Sequence, residues 1–220
     1  MRGMYYQRTL PYRHCPSMRY SYWVKQRIGI YSGTFDPIHI GHVSFAKEAL
    51  RQARLDRVIF MPEPHPRGKD MVTDIRHRLS LVNAAITDIK EFSLLEPIAE
   101  RFNIADTLPL LHHMFQDTDL TLLLGSDVVR TLSDRWPGLD VLLSDVSLVI
   151  GMRHNDTSNE IITILTKLEG KYKLKINYLL VEASDAHAAS SIVRSAISDT
   201  LDLHPDVSHY INGRNLYSKD

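Results

Sequence analysis

Ten consecutive residues, Gly33-Thr34-Phe35-Asp36-Pro37-Ile38-His39-Ile40-Gly41-His42, hold the densest chemistry in the chain. Gly33 permits a sharp turn and brings backbone N–H groups close to a ligand. Pro37 disfavours helix at Asp36 and delays a helix until after it. His39 and His42 stand three apart, so on an opening helical turn they project from one face, and Gly41 between them leaves no side chain in the way. A helix N-terminus presents unpaired N–H groups and a partial positive charge, which suits phosphate. Imidazoles beside it add donors that become cationic near neutral pH. The string therefore reads as an anion site, with donors placed for a charged phosphoryl transition state. Two histidines at this spacing make a poor metal site. Neither the dinucleotide fingerprint GxGxxG nor a P-loop GxxxxGK occurs here, which argues against hydride transfer and against a P-loop NTPase.

The elements that must hold this string in place follow from hydrophobic periodicity. Residues 27–33 read as a short buried strand ending in glycine. Val43, Ala46, Leu50 and Ala53 are spaced for one helix face over residues 41–54. Residues 57–61 form a β-branched and aromatic run, hence a strand, and residues 75–89 are helical again. A strand is expected at 92–95 and a helix at 104–114. Strands follow at 120–124 (closed by Gly125), 146–151 and 176–181, with a helix at 159–168 between the last two. Segments 191–197 and 205–211 close the chain. Strands alternating with helices of this length form βαβ units. The expected fold is α/β: a doubly wound, Rossmann-like parallel sheet with helices on both faces. Such sheets bind ligands beyond the carboxyl ends of the strands, where strand order reverses.

Of the 220 residues 44% are hydrophobic and 24% charged, the make-up of a folded soluble protein. Residues 27–220 are expected to form one domain, preceded by a basic, Tyr-rich extension over residues 1–26. With 26 basic and 26 acidic residues the formal net charge is zero, so no global field favours nucleic acid. The first 27 residues hold five arginines, one lysine, no acid and five of the ten tyrosines. That pattern fits a nucleic-acid arm or a transit peptide; it also fits a poorly ordered leader, or a start called too early with Met18 as the true one. Cys15 is the only cysteine, which excludes an intrachain disulfide and a cysteine-rich zinc site and reads as a free thiol in a reducing compartment. The longest apolar runs, 120–124 and 146–150, fall far short of the roughly 20 residues of a membrane span. No secretory signal is visible, and the expected address is the cytoplasm. The oligomeric state stays open.

GTFDPIHIGH resembles the GxFDPxHxGH signature of the nucleotidyltransferase superfamily with the HxGH motif. From about residue 28 to the C-terminus the chain resembles, more narrowly, the nicotinate-nucleotide adenylyltransferase family. Ala189-Ser190-Ser191-Ile192-Val193-Arg194 is similar to the late SSTxIR motif, and Gly125-Ser126-Asp127 to the GAD turn. Arg78 with the following LSLVNAAI resembles the R-x-x-M-L helix, Trp136 the family's tryptophan, and residues 207–217 its closing helix. Two segments depart. The PPHK stretch is replaced by the longer Glu63-Pro64-His65-Pro66-Arg67-Gly68-Lys69. YTxDTL appears as Phe102-Asn103-Ile104-Ala105-Asp106-Thr107-Leu108, with one extra residue and Asn where Thr is expected.

The resemblance implies adenylyl transfer from ATP to nicotinate mononucleotide, a pyridine mononucleotide, with release of pyrophosphate. It implies that His39 and His42 hold the α- and β-phosphates, and that Arg194 and Ser191, with Ser190 beside them, grip the departing pyrophosphate. Lys69 adds charge from a loop, Gly33, Thr34, Phe35, Asp36, Gly41 and Gly125 line the ATP site, and Asp127 accepts from a ribose hydroxyl. Asn103, Thr107, Trp136 and Arg153 face the acceptor, and Mg2+ rides on the triphosphate. Taken singly, Arg194 reads as a surface charge, Ser190, Ser191 and Asp127 as helix caps, and Trp136 as core; their joint order is what gives them weight. His39-Ile40-Gly41-His42 also spells the HIGH signature of class I aminoacyl-tRNA synthetases, but the chain lacks a KMSKS-like loop and an anticodon-binding region. Pantetheine-phosphate adenylyltransferases usually carry Thr where His39 stands. CTP as donor, nicotinamide mononucleotide as acceptor, a non-catalytic nucleotide sensor and an RNA-binding module stay open.

Overall fold

The computed structural model describes residues 25–69, 71–132, 136–153, 156–182 and 202–217. Its centre is a sheet of six parallel strands: β1 (Gln26–Gly33), β2 (Arg57–Pro62), β3 (Phe92–Leu94), β4 (Thr118–Gly125), β5 (Ser147–Met152) and β6 (Tyr178–Glu182). They lie in the order β3-β2-β1-β4-β5-β6, the doubly wound arrangement expected, and the order reverses between β1 and β4. Around them are α1 (Ile40–Gln52), α2 (Ile75–Ile86), α3 (Ile104–Met114), α4 (Ser126–Thr131), α5 (Leu139–Asp145), α6 (Ser158–Tyr172) and α7 (Pro205–Arg214). None of these helices is long and apolar enough to cross a membrane.

Strand side chains alternate between two cores because successive Cβ atoms point to opposite faces. Ile28, Ile30, Leu120, Leu122, Leu148 and Ile150 meet α3, α5 and α6 on one face. Tyr31, Val58, Phe60, Leu123, Val149 and Val181 meet α1, α2 and α7 on the other. Gly29 faces this second core, where an added Cβ would come within 2.8 Å of Leu55 Cδ1 and 2.9 Å of Leu123 Cδ1.

Several boundaries differ from the sequence reading, each for a local reason. β6 begins at Tyr178 rather than 176, since the Ile176 N–H is taken by Glu169 Oε1 at 3.0 Å. α6 runs on to Tyr172 and stops where Lys173 turns left-handed, at φ 54°. α4 and α5 were not expected: helices of six and seven residues are too short to display a helical period. The expected helix at 191–197 lies outside the described residues.

One detail of pairing opens the site. The β1–β4 ladder runs from Gln26–Thr118 only as far as Ile30–Leu122, yet the strands continue to Gly33 and Gly125. Their carboxyl ends part, and α1 leaves over one face while α4 and α5 follow β4 over the other.

Candidate active site

β1 stops at Gly33, and the sharp turn comes two residues later than expected, at Phe35 with φ 48°. Gly33 is required for a different reason: a Cβ there would press 3.0 Å from Cζ of the Phe35 ring. That ring is buried, edge-on to Tyr31 at 5.2 Å and to His42 at 5.1 Å between centroids. Phe35 therefore offers a ligand only its backbone.

Arg78 anchors the loop from below. It is 1% exposed, and its guanidinium donates to four carbonyls: Thr73 at 2.7 Å, Thr34 at 2.9 Å, Glu63 at 2.7 Å and Pro64 at 2.9 Å. The loops after β1 and β2 are thus held to α2 by one planar cation. Asp36, expected beside ATP, turns inward instead. Its Oδ2 accepts from the Thr73 N–H at 3.2 Å and its Oδ1 from the Tyr217 hydroxyl at 2.6 Å. The carboxylate braces the loop, as its burial demands.

His39 is the N-cap residue of α1, and His42 lies three residues into the turn. The two rings stack, 3.7 Å between centroids at 34°. His42 Nδ1 accepts from the His39 backbone N–H at 3.2 Å, so the proton of the neutral ring sits on Nε2. His39 Nδ1 is buried and has no hydrogen-bond partner among the described residues. The expectation that these rings are cationic near neutrality is corrected. Burial, and then the charge of Arg153, push His39 down from its ordinary 6.5 to about 4. Burial, and then His39, Lys69 and Arg153, hold His42 well below 6.5. Both rings are neutral donors until an anion arrives. Gly41, inside the first turn of α1, lies between them. Lys69 Nζ donates to Thr34 Oγ1 at 2.9 Å, which brings that ammonium to the rim of the same loop.

Across the crevice, Gly125 closes β4, where a Cβ would overlap Asp127 Oδ1. Asp127 is not the cap of α4, a place Gly125 takes; its Oδ2 instead accepts from Arg153 Nη2 at 2.9 Å, joining the ends of β4 and β5. Below this pair, Arg130 binds Asp156 at 2.6 Å and Glu160 at 2.8 Å. Asp127 and Arg153 therefore stand paired at the carboxyl ends of β4 and β5.

The acceptor residues expected from the FNIADTL segment have local duties. Asn103 caps α3, accepting from the Asp106 N–H at 2.8 Å. Thr107 is wholly buried, and its hydroxyl accepts from the Asn103 N–H at 3.1 Å. Both side chains thus have capping partners at the start of α3. Trp136 is half-buried after α4, and the Arg67 guanidinium lies over its ring, 4.8 Å from the centroid. Ser190, Ser191 and Arg194 lie outside the described residues.

Sequence reasoning passed over two contributions. The hub made by Arg78 had a signal, since its spacing to Leu81, Val82 and Ala85 puts a basic residue on the buried stripe of α2. Arg67 over Trp136 had none, because a contact between distant loops leaves no periodic trace.

The model of the cytidylyltransferase-like family matches residues 30–196. A probable nicotinate-nucleotide adenylyltransferase of Clostridium perfringens is 31% identical over 205 residues, covering 89% of this chain and all of the relative. One from Clostridium botulinum is 30% identical over 201 residues, with 89% and 100% covered. Among solved structures, Plasmodium falciparum nicotinic acid mononucleotide adenylyltransferase complexed with NaAD superposes with a TM-score of 0.71 at 18% identity, covering 87% of this chain and 97% of that one. A histidine pair stacked at a parted strand crevice, in a sheet of this order, thus meets relatives that match it over nearly its whole length: the chain is a nucleotidyltransferase of the cytidylyltransferase-like family and belongs, within it, with the nicotinate-nucleotide adenylyltransferases.

Proposed function

We propose that this protein transfers the adenylyl group of ATP to nicotinate mononucleotide, giving deamido-NAD and pyrophosphate. The observation that carries this reading is the stacked His39–His42 pair at the start of α1, neutral, with the His42 proton held on Nε2 by the hydrogen bond to Nδ1. A phosphate of ATP supplies an acceptor for the Nε2–H of His42 and for the N–H groups of the opening turn of α1. An oxygen of the mononucleotide phosphate attacks the α-phosphorus in line. The new P–O bond forms as the bond to the β-phosphate breaks, and pyrophosphate leaves with the electron pair. His39 and His42 hold the α- and β-phosphates, Lys69 adds charge at Thr34, and the neutral imidazoles take on positive character as the anion arrives. Asp127 receives a ribose hydroxyl, with Arg153 orienting it. Ser190, Ser191 and Arg194 belong to this reading as the grip on pyrophosphate, on their motif alone. Mg2+ enters with the triphosphate, because imidazole, ammonium and amide donors suit phosphate oxygens better than a hard cation. Trp136 offers a face to the pyridine ring. We place the reaction in the cytoplasm, where the lone thiol of Cys15 stays reduced.

The names of the relatives favour ATP and nicotinate mononucleotide, while the name of the matching family keeps CTP as a second donor to be tried. The test is pyrophosphate release with ATP or CTP and magnesium, against nicotinate and nicotinamide mononucleotides. Release with ATP and nicotinate mononucleotide is expected. No release with any pair overturns the reading in favour of a nucleotide sensor.

A further inference from the structure

The loop after β2 is longer than its counterpart in the motif, and its anchors show where the extra length goes. Glu63 Oε1 accepts from Ser32 Oγ at 2.7 Å, and the Glu63 and Pro64 carbonyls are held by Arg78. The His65 N–H donates to the Glu100 carbonyl at 2.9 Å. Gly68 turns left-handed at φ 70°, and Lys69 reaches Thr34. β2 and β4 flank β1 on opposite sides, so a loop that starts at β2 and lays Arg67 on Trp136, beyond β4, crosses the mouth of the crevice.

Arg67 is exposed, and its charge is not spent on a carboxylate among the described residues. What it covers is an indole face, a surface that attracts planar cations. The ring of a pyridine mononucleotide is itself a planar cation, a pyridinium. Nicotinate mononucleotide balances that charge with a ring carboxylate; nicotinamide mononucleotide does not. We propose that Arg67 is the specificity-determining residue for the acceptor. Its guanidinium yields the Trp136 face to the pyridinium and stays within reach of the ring substituent, pairing with a carboxylate and repelling an uncompensated pyridinium. This rests on the adenylyltransferase reading above and deepens it by naming the group that separates acid from amide. The physics favours arginine, whose planar fork both stacks on an aromatic and pairs bidentately with a carboxylate. Discrimination by repulsion of the wrong charge adds to discrimination by attraction of the right one.

The experiment measures kcat and KM for both acceptors at saturating ATP, in the wild type, Arg67→Gln and Arg67→Lys. Arg67→Gln should lower kcat/KM for nicotinate mononucleotide about 10- to 100-fold, the loss expected for one charged hydrogen bond. The loss should fall in the acceptor KM with the ATP KM unchanged, and nicotinamide mononucleotide should be used as well as before or better. Arg67→Lys, which keeps the charge, should retain most of the preference. An equal fall for both acceptors, an unmoved ratio, or a wild type that does not distinguish them overturns the assignment while leaving the reaction in place. A wild type that releases no pyrophosphate with either acceptor overturns the reaction and the assignment together.

Discussion

The proton on His42 is placed by a backbone amide: the His39 N–H occupies Nδ1 and leaves Nε2–H as the ring's donor. Removing that donor with His42→Ala should lower kcat by about 10²- to 10³-fold, the usual cost of one transition-state donor, as read by pyrophosphate release. His39 makes a separate prediction about stability. Its value in the folded protein, about 4, lies below the ordinary 6.5, so between these limits the unfolded chain binds a proton that the folded one does not. Stability must therefore fall as pH drops from about 6.5 towards 4, and His39→Gln should flatten that part of a plot of thermal midpoint against pH. An unchanged slope would remove His39 as its source. The pairing of the two imidazoles was legible in the sequence, since spacing alone put both on one turn. Their charge was not, because it depends on how deeply Phe35, Tyr31 and Phe45 bury that turn. Nor was the inward turn of Asp36, which depends on partners 37 and 181 positions away.

Elements were easiest to read where they were long and half-apolar. α3 spans the expected residues, β1 and β2 each shift by one residue at one end, and α1 starts one residue earlier and ends two earlier than expected. Short helices and strand ends escaped, for their limits are set by contacts such as Glu169 with Ile176 and not by periodicity. The loops after β1 and β2 illustrate how an element holds what it does not contain. Prolines restrict both loops locally, but it is α2 that pins them to each other through Arg78. Arg78→Ala should cost about 2–4 kcal/mol, because buried carbonyls lose a charged donor. Arg78→Lys should recover little of it, since one ammonium cannot reproduce a planar fork aimed at four oxygens. Chemical denaturation of both variants checks this, and full stability in either would deny α2 that role.

At the scale of the whole molecule, strand order decides where the site can be. Periodicity supplied strands and helices in sequence, but it did not say that β4 would lie beside β1; that follows from the doubly wound topology, and with it the crevice where both strands part. The C-terminal end of the described chain packs near that crevice. Leu203, Val207 and Ile211 fill the core beneath α1 and α2, Tyr210 meets His77 Nδ1 at 3.0 Å, and the Tyr217 hydroxyl donates to Asp36 at 2.6 Å. Tyr217→Phe should cost about 1.5–3 kcal/mol, typical of a hydrogen bond to a charged group, and should weaken ATP binding as the loop loosens. Unaltered melting and ATP affinity would show the tie to be incidental. The same closure bears on how the protein is made. On the ribosome, β1 and the histidines emerge well before the tyrosine that braces their loop, which follows Asp36 by 181 positions. The loop therefore gains this brace only after Tyr217 has emerged, and a nascent chain stalled before that point carries the motif without its support.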